Sequence, residues 1–215
     1  ILFSDIIVEA PLGSRTKLTL PDGTLVWLNA GSRITYSQGF GVGNRKIELI
    51  GEGYFEVKRN EEVPFLVKTN SLLVKVLGTK FNFRDYPDDA EAIVSLSEGK
   101  VALNNLLKKE KEAFLLPNER VVLNKKNGRM HVEYSTVSNA LQWTNGYLFF
   151  DEELLPDVVK ELERSYNVKI QIASDTLNTF RFYGNFVHRE QNIQEVLEAL
   201  SATRKIHYII EGHNR

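Results

Sequence analysis

The chain has 215 residues, 42% of them apolar, with 27 basic and 28 acidic side chains, a formal net charge of −1 and no cysteine. That length suits one large β domain or two ordinary domains, and two is the better expectation. The near-zero net charge supplies no overall field for a nucleic-acid backbone or an anionic membrane, and the lack of cysteine excludes disulfides, thiolate metal sites and cysteine nucleophiles without assigning a compartment. No apolar run approaches the ~18 to 20 residues of a bilayer span. The start at Ile1-Leu2-Phe3 suggests a fragment or processed form.

The first clear element is a hairpin. Lys17-Leu18-Thr19-Leu20 alternates polar and apolar, Pro21-Asp22-Gly23 is turn chemistry, and Leu25-Val26-Trp27-Leu28 is apolar on both phases. Strand-length runs follow at 33–36, 46–50, 54–57, 65–69, 72–77, 80–84, 93–97, 101–103, 113–116, 121–123 and 130–134. Glycine, proline and asparagine clusters separate them, at Gly39 to Gly43, Gly51-Glu52-Gly53, Gly78-Thr79, Pro117-Asn118 and Asn127-Gly128. Further hairpins are expected around Gly78-Thr79 and Pro117-Asn118. Strand spacing of roughly 8 to 12 residues points to an all-β sandwich or roll over 1–134. Alternation places Leu18, Leu20, Val26, Leu28, Ile47 and Leu49 in its core, together with Phe55, Val57, Phe81, Phe83, Val94 and Leu96.

The pattern changes at Ser135. Residues 135–145 read as a linker, and 146–215 as a small α+β domain. Tyr147 to Phe150 is a strand, and Asp151-Glu152-Glu153 is expected to cap a helix with Leu154, Val158, Val159, Leu162 and Tyr166 on one stripe. Val168 to Ile172 and Phe180 to Tyr183 alternate as strands. Asn192 or its neighbour caps a second helix with stripe Ile193, Val196, Leu197 and Leu200, and Ile206 to Ile210 closes the order β-α-β-β-α-β.

No catalytic constellation accompanies this fold. Ser14-Arg15-Thr16-Lys17 has the Ser-x-x-Lys spacing of penicillin-recognising enzymes, but it runs into a strand, which sends Ser14 and Lys17 to opposite faces. Gly39 to Gly43 precedes no helix, so it is a β connection rather than a phosphate loop. His131, His188, His207 and His213 lack ligand spacing. The sequence therefore points to no catalytic residue, metal or cofactor. One cluster invites a partner instead: around Phe180 and Phe182, the residues Arg181, Tyr183 and Phe186 are expected on an exposed sheet face.

Several spaced motifs together resemble the FecR family. They are Leu20-Pro21-Asp22-Gly23-Thr24-x-Val26-x-Leu28-Asn29-x-x-Ser32, Leu49-x-Gly51-Glu52-Gly53-Tyr54-Phe55-Glu56-Val57, Pro64-Phe65-x-Val67, Val76-Leu77-Gly78-Thr79-x-Phe81-Asn82 and Glu98-Gly99-x-Val101. In the second half, Gly146-x-Leu148-x-Phe150, Leu162-Glu163-x-x-Tyr166-Asn167-Val168 and Phe182-x-Gly184 are similar to the family's C-terminal domain. The family's commoner Gly-Glu-Ala is here Gly51-Glu52-Gly53. The resemblance implies the periplasmic region of a single-pass inner-membrane anti-sigma regulator. Its partners would be the signalling domain of a TonB-dependent outer-membrane receptor and, through a cytoplasmic segment, an extracytoplasmic-function sigma factor. Its last domain would be similar to the short N-terminal domain of secretins and TonB-dependent receptors. A carbohydrate-binding or structural β module of the cell envelope is the alternative from another class.

Overall fold

The computed structural model describes residues 4–202 and 206–211. The chain forms two compact units, Ile1–Thr144 and Asn145–Arg215. The first begins with strands β1 (Asp5–Ala10), β2 (Thr16–Thr19), β3 (Leu25–Leu28), β4 (Ser32–Ser37), β5 (Arg45–Glu56), β6 (Phe65–Lys68) and β7 (Leu72–Val76). It continues with β8 (Lys80–Asp85), β9 (Glu91–Glu98), β10 (Val101–Asn105), β11 (Ala113–Leu115), β12 (Glu119–Asn124) and β13 (Met130–Tyr134). Strand β1 is an addition to the expected set, built from Ile6-Ile7-Val8 and paired with β4.

The twelve-residue β5 organises this unit. Its first half pairs with β4 and, in parallel, with β6; its second half pairs with β3 and β8. One sheet therefore runs β1-β4-β5-β6-β7-β10-β11 and the other β2-β3-β5-β8-β9-β12-β13, with β5 common to both. Gly51 stands at the changeover with φ +96°, where any Cβ would meet the Ser32 backbone at 2.9 Å. Where the sequence suggested two strands there is one, bent at this glycine. Gly53, the departure from Gly-Glu-Ala, also has a local reason, because a Cβ there would press on the Phe55 ring at 2.9 Å.

The inner faces of both sheets contribute to one core cluster, including Ile34, Ile47, Val67 and Val74 from the first sheet and Phe55, Phe81, Phe83 and Val94 from the second. All the expected core residues are buried except Leu18, which packs half-buried at the edge. The hairpin β2-β3 forms as expected, with Leu18 opposite Val26. The hairpins expected at Gly78-Thr79 and Pro117-Asn118 do not. Strand β7 pairs with β6 and β10 while β8 pairs with β5 and β9; β11 pairs with β10 while β12 pairs with β9 and β13. A short glycine or proline connection serves equally to fold a strand back or to carry it into the other layer, and here it changes layer.

Residues 135–145, expected to be a linker, hold helix α1 (Val137–Ala140) and a 3-10 turn at Gln142–Asn145. Helix α1 packs on β9, and Trp143 is buried.

The second unit contains β14 (Tyr147–Leu154), α2 (Leu155–Tyr166), β15 (Arg181–Val187) and α3 (Ile193–Ser201). Both helical stripes and one face of the β14-β15 pair form its core, with Leu148, Phe150, Val158, Leu162, Phe182 and Val196 among the buried residues. Helix α2 is not capped by Asp151 to Glu153. Those residues continue β14, Leu154 takes the N-cap position without a side-chain bond, and Pro156 lies in the first turn, where its missing N–H costs nothing. The helix ends on Asn167 in the left-handed region, φ 52°, which explains an asparagine at that motif position. Helix α3 opens with a reciprocal box in which Asn192 and Glu195 each accept the other's backbone N–H.

The segments 168–172 and 206–210 form no ladder among the described residues. Their alternation is real, since Ile170, Ile172 and Ile206 pack against the core while Lys169, Gln171 and His207 are exposed. Alternation sets which side chains turn inward; a ladder also needs a neighbouring strand in register. His213 lies outside the described residues.

Candidate partner-binding face

In β14 and β15 the period of two divides each strand between core and solvent. The antiparallel register pairs Leu148 with Phe186 and Phe150 with Gly184, then shifts between Phe150 and Glu153 at a bulge. Within that bulge Glu152 has φ 53°, and its carbonyl accepts a hydrogen bond from Arg181 Nη1 at 2.7 Å. The guanidinium is thereby tied across the strand pair at the end where the sheet gives way to α2.

Tyr183 is 74% exposed. Its ring meets Phe149 edge-on, centroids 6.1 Å apart and planes at 79°, a favoured aromatic geometry. Tyr183 and Phe149 thus form an aromatic pair on the solvent side of a sheet whose other side is core. Arg181 is exposed beside them in sequence.

Phe186 is placed differently from the expectation. It is 8% exposed, packs at 6.1 Å from Phe150, and belongs to the core cluster. The reason is parity: residues 182, 184 and 186 share one face of a strand, so Phe186 follows Phe182 inward and not Tyr183 outward. Its ring edge lies 3.0 Å from where a Cβ on Gly184 would sit, so the glycine of Phe182-x-Gly184 makes room for it.

Motif residues of the first unit converge on a buried polar cluster that sequence spacing alone did not reveal. The Glu52 carboxylate, its side chain 5% exposed, accepts Nδ2 bonds from Asn29 at 2.9 Å and Asn82 at 2.8 Å and lies 3.8 Å from Arg84. Asn82 in turn accepts the indole N–H of Trp143 at 3.1 Å. Ser32 accepts the Glu52 backbone N–H at 2.8 Å, and Tyr86 donates to the Ala30 carbonyl at 2.8 Å. Every one of these groups is occupied by a neighbour, which makes the cluster a structural tie rather than a reactive site. The signal was legible as recurring polar residues inside apolar strand motifs.

A second tie surrounds Arg45. Its guanidinium donates to Asp22 Oδ2 at 3.1 Å and to the carbonyls of Val63, Lys58 and Asn60 at 2.7, 2.7 and 3.2 Å. Asp22 also accepts the Thr24 N–H and hydroxyl, both at 2.9 Å. The Pro-Asp-Gly-Thr motif is thus a turn locked to the start of β5. Among the described residues no group of three or more His, Asp or Glu is placed to hold a metal ion, and no helix is long and apolar enough to cross a membrane.

The comparisons with known proteins agree with this architecture. The family model described as FecR protein matches residues 7–102, and that for the FecR C-terminal domain matches residues 147–215. No curated protein matches. Two crystal structures of a protein assigned as an anti-sigma factor, from Parabacteroides distasonis ATCC 8503, are 33% identical to this chain with TM-scores of 0.88. They cover 96% and 97% of this chain, which in turn covers 95% of theirs. With both halves matched and in the same order, the chain belongs to the FecR family of anti-sigma factors.

Proposed function

We propose that this chain is the periplasmic signal-receiving region of a membrane anti-sigma factor, relaying the state of a TonB-dependent outer-membrane receptor to an extracytoplasmic-function sigma factor by protein contact. FecR proteins are membrane anti-sigma factors, a regulatory rather than an enzymatic family. The observation that carries the reading to a surface is the exposed Tyr183, paired with the half-buried Phe149 and with Arg181 beside it, on a face that the unit's own core does not use. Tyrosine and arginine are the side chains that most often anchor protein interfaces. The second unit is the receptor-contacting domain in this reading, and Phe186 supports the face from beneath.

Calorimetric titration with the signalling domain of the receptor encoded beside this protein tests the proposal. Binding is expected, with Tyr183→Ala and Arg181→Ala each weakening it while the melting temperature stays within about 2 °C, as for surface substitutions. Absence of binding at high micromolar concentration, with both partners folded, would sink it.

A further inference from the structure

The outer face of the first sheet sorts charge in a way that the near-zero net charge conceals. Across neighbouring strands the register aligns Lys46, Leu66, Lys75, Ala102 and Phe114 in one row. The next row holds Glu48, Lys68, Leu73 and Asn104. The lysines are exposed and the aliphatic residues between them half-exposed. Glu48 is the acid within these two rows.

Lysines on sheets often protect a free edge from pairing. That does not account for Lys68 and Lys75, because β6 and β7 are interior strands flanked on both sides. The edge strand β11 is the opposite of a protected one. Phe114 is 50% exposed there and Leu116, just beyond, 56%. Lys100 lies over the Phe114 ring at 4.6 Å.

The turn joining β10 to β11 repeats the mixture. Leu106 and Leu107 are 42% and 45% exposed and are followed by Lys108, Lys109 and Lys111, with Glu110 and Glu112 between and after them. Glu110 is already paired to Lys108 at 3.0 Å. Asn105 holds the turn by accepting the N–H groups of Leu107 and Lys108 and donating to the Gly128 carbonyl at 2.9 Å. The two leucines are therefore presented by a fastened turn.

We infer that the face formed by β6, β7 and the β10-β11 hairpin docks on a bilayer carrying anionic phospholipid. Charge complementarity selects an anionic partner. The physical form of the patch selects a membrane over a folded acidic protein: a broad sheet face with long, mobile lysines around large apolar side chains matches headgroup attraction plus shallow insertion. Phe114, Leu116, Leu106 and Leu107 would enter the headgroup boundary while the lysines meet the phosphates. The inference does not depend on the receptor reading, since none of these residues belongs to the second unit.

Vesicle flotation of the 215-residue chain tests it, using phosphatidylcholine vesicles with and without phosphatidylglycerol. Flotation should require phosphatidylglycerol and fall as salt rises. Lys68→Gln and Lys75→Gln should each lower the partition constant about fivefold, the effect of roughly one surface charge beside anionic lipid. Phe114→Ser should lower it on the phosphatidylglycerol vesicles at every salt concentration, and Phe114→Trp should show blue-shifted emission on those vesicles. Unchanged far-ultraviolet dichroism and urea midpoints establish that the variants remain folded. Flotation indifferent to phosphatidylglycerol, or undiminished in the Lys68→Gln/Lys75→Gln double variant, would overturn the inference. So would capture on polyglutamate through these lysines without flotation, which would assign the face to an acidic protein.

Discussion

Replacing Arg45 with methionine tests whether the Pro-Asp-Gly-Thr motif acts through a buried ion pair. The Arg45 and Asp22 side chains are 3% and 9% exposed and their charged atoms are 3.1 Å apart. The guanidinium also satisfies the carbonyls of Lys58, Asn60 and Val63 and stacks 5.6 Å from the Phe65 ring centroid. Methionine retains much of the packing volume but leaves Asp22 without its counter-charge and those carbonyls without a donor. Removing one partner of a buried pair costs about 3 to 5 kcal/mol, a large part of the ~5 to 15 kcal/mol that holds a domain folded. Urea unfolding, followed by the Trp27 and Trp143 emission, should show a matching fall in midpoint with little change in slope. By calorimetry the loss corresponds to about 6 to 20 °C at ~2 to 4 °C per kcal/mol. Asp22→Asn should destabilise as well, and the double variant should cost less than the sum of the two, because removing the second partner also removes an uncompensated charge. A cost below about 1 kcal/mol for Arg45→Met, or additivity within about 0.5 kcal/mol, would refute the reasoning.

Trp143→Phe keeps an aromatic ring but strips the donor from Asn82, so about 1 to 3 kcal/mol and faster hydrogen exchange over 137–145 are expected; unchanged exchange would show that the indole bond does not hold that segment. Gly51→Ala combines a positive φ with contact against the Ser32 backbone and should prevent stable folding, whereas Gly41→Ala, φ +88° in open space, should cost only about 1 to 2 kcal/mol. Comparable urea midpoints for the two would contradict the account of the β5 bend. Phe186→Ala should lose about 3 to 5 kcal/mol while Tyr183→Ala stays near wild type, a contrast read directly from two melting curves. Arg120 holds the Glu133 carboxyl below its ordinary 4.5, with His131 adding to the effect. A depressed carboxylate contributes stability above its unfolded pKa that is lost as pH falls through the folded value. Glu133→Gln should therefore lower stability slightly at pH 7 and make no difference well below pH 4, the effect being small because both Arg120 and Glu133 are more than a third exposed; equal acid limbs in the two melting profiles would remove Glu133 from that role.

Much of the protein was legible in one dimension because its determinants are local. The alternation of Phe81 and Phe83, the turn at Pro21-Asp22-Gly23, the stripe Val158, Val159 and Leu162 and the Asn192 cap depend on neighbours within one strand, turn or helix, and each was found where expected. Parity was legible too, and Phe186 shows the cost of overlooking it: a residue four positions from Phe182 in a strand must share its face.

Tertiary structure decided what depends on partners distant in sequence. Nothing local distinguishes Gly78-Thr79 as a hairpin turn from Gly78-Thr79 as a crossing between sheets, because both need the same short, permissive backbone. The convergence of Asn29, Glu52 and Asn82 follows from pairing β3, β5 and β8 side by side, and Trp143 reaches it from the 3-10 turn far along the chain. The basic, aromatic-edged face arises in the same way. Lys46, Lys68, Lys75 and Phe114 lie far apart along a chain of net charge −1, and only strand register brings them into two adjacent rows. Composition determined the total charge and the amount of apolar material; the pairing of strands determined where each was concentrated, since cross-strand neighbours are set by hydrogen-bond register and not by distance along the chain.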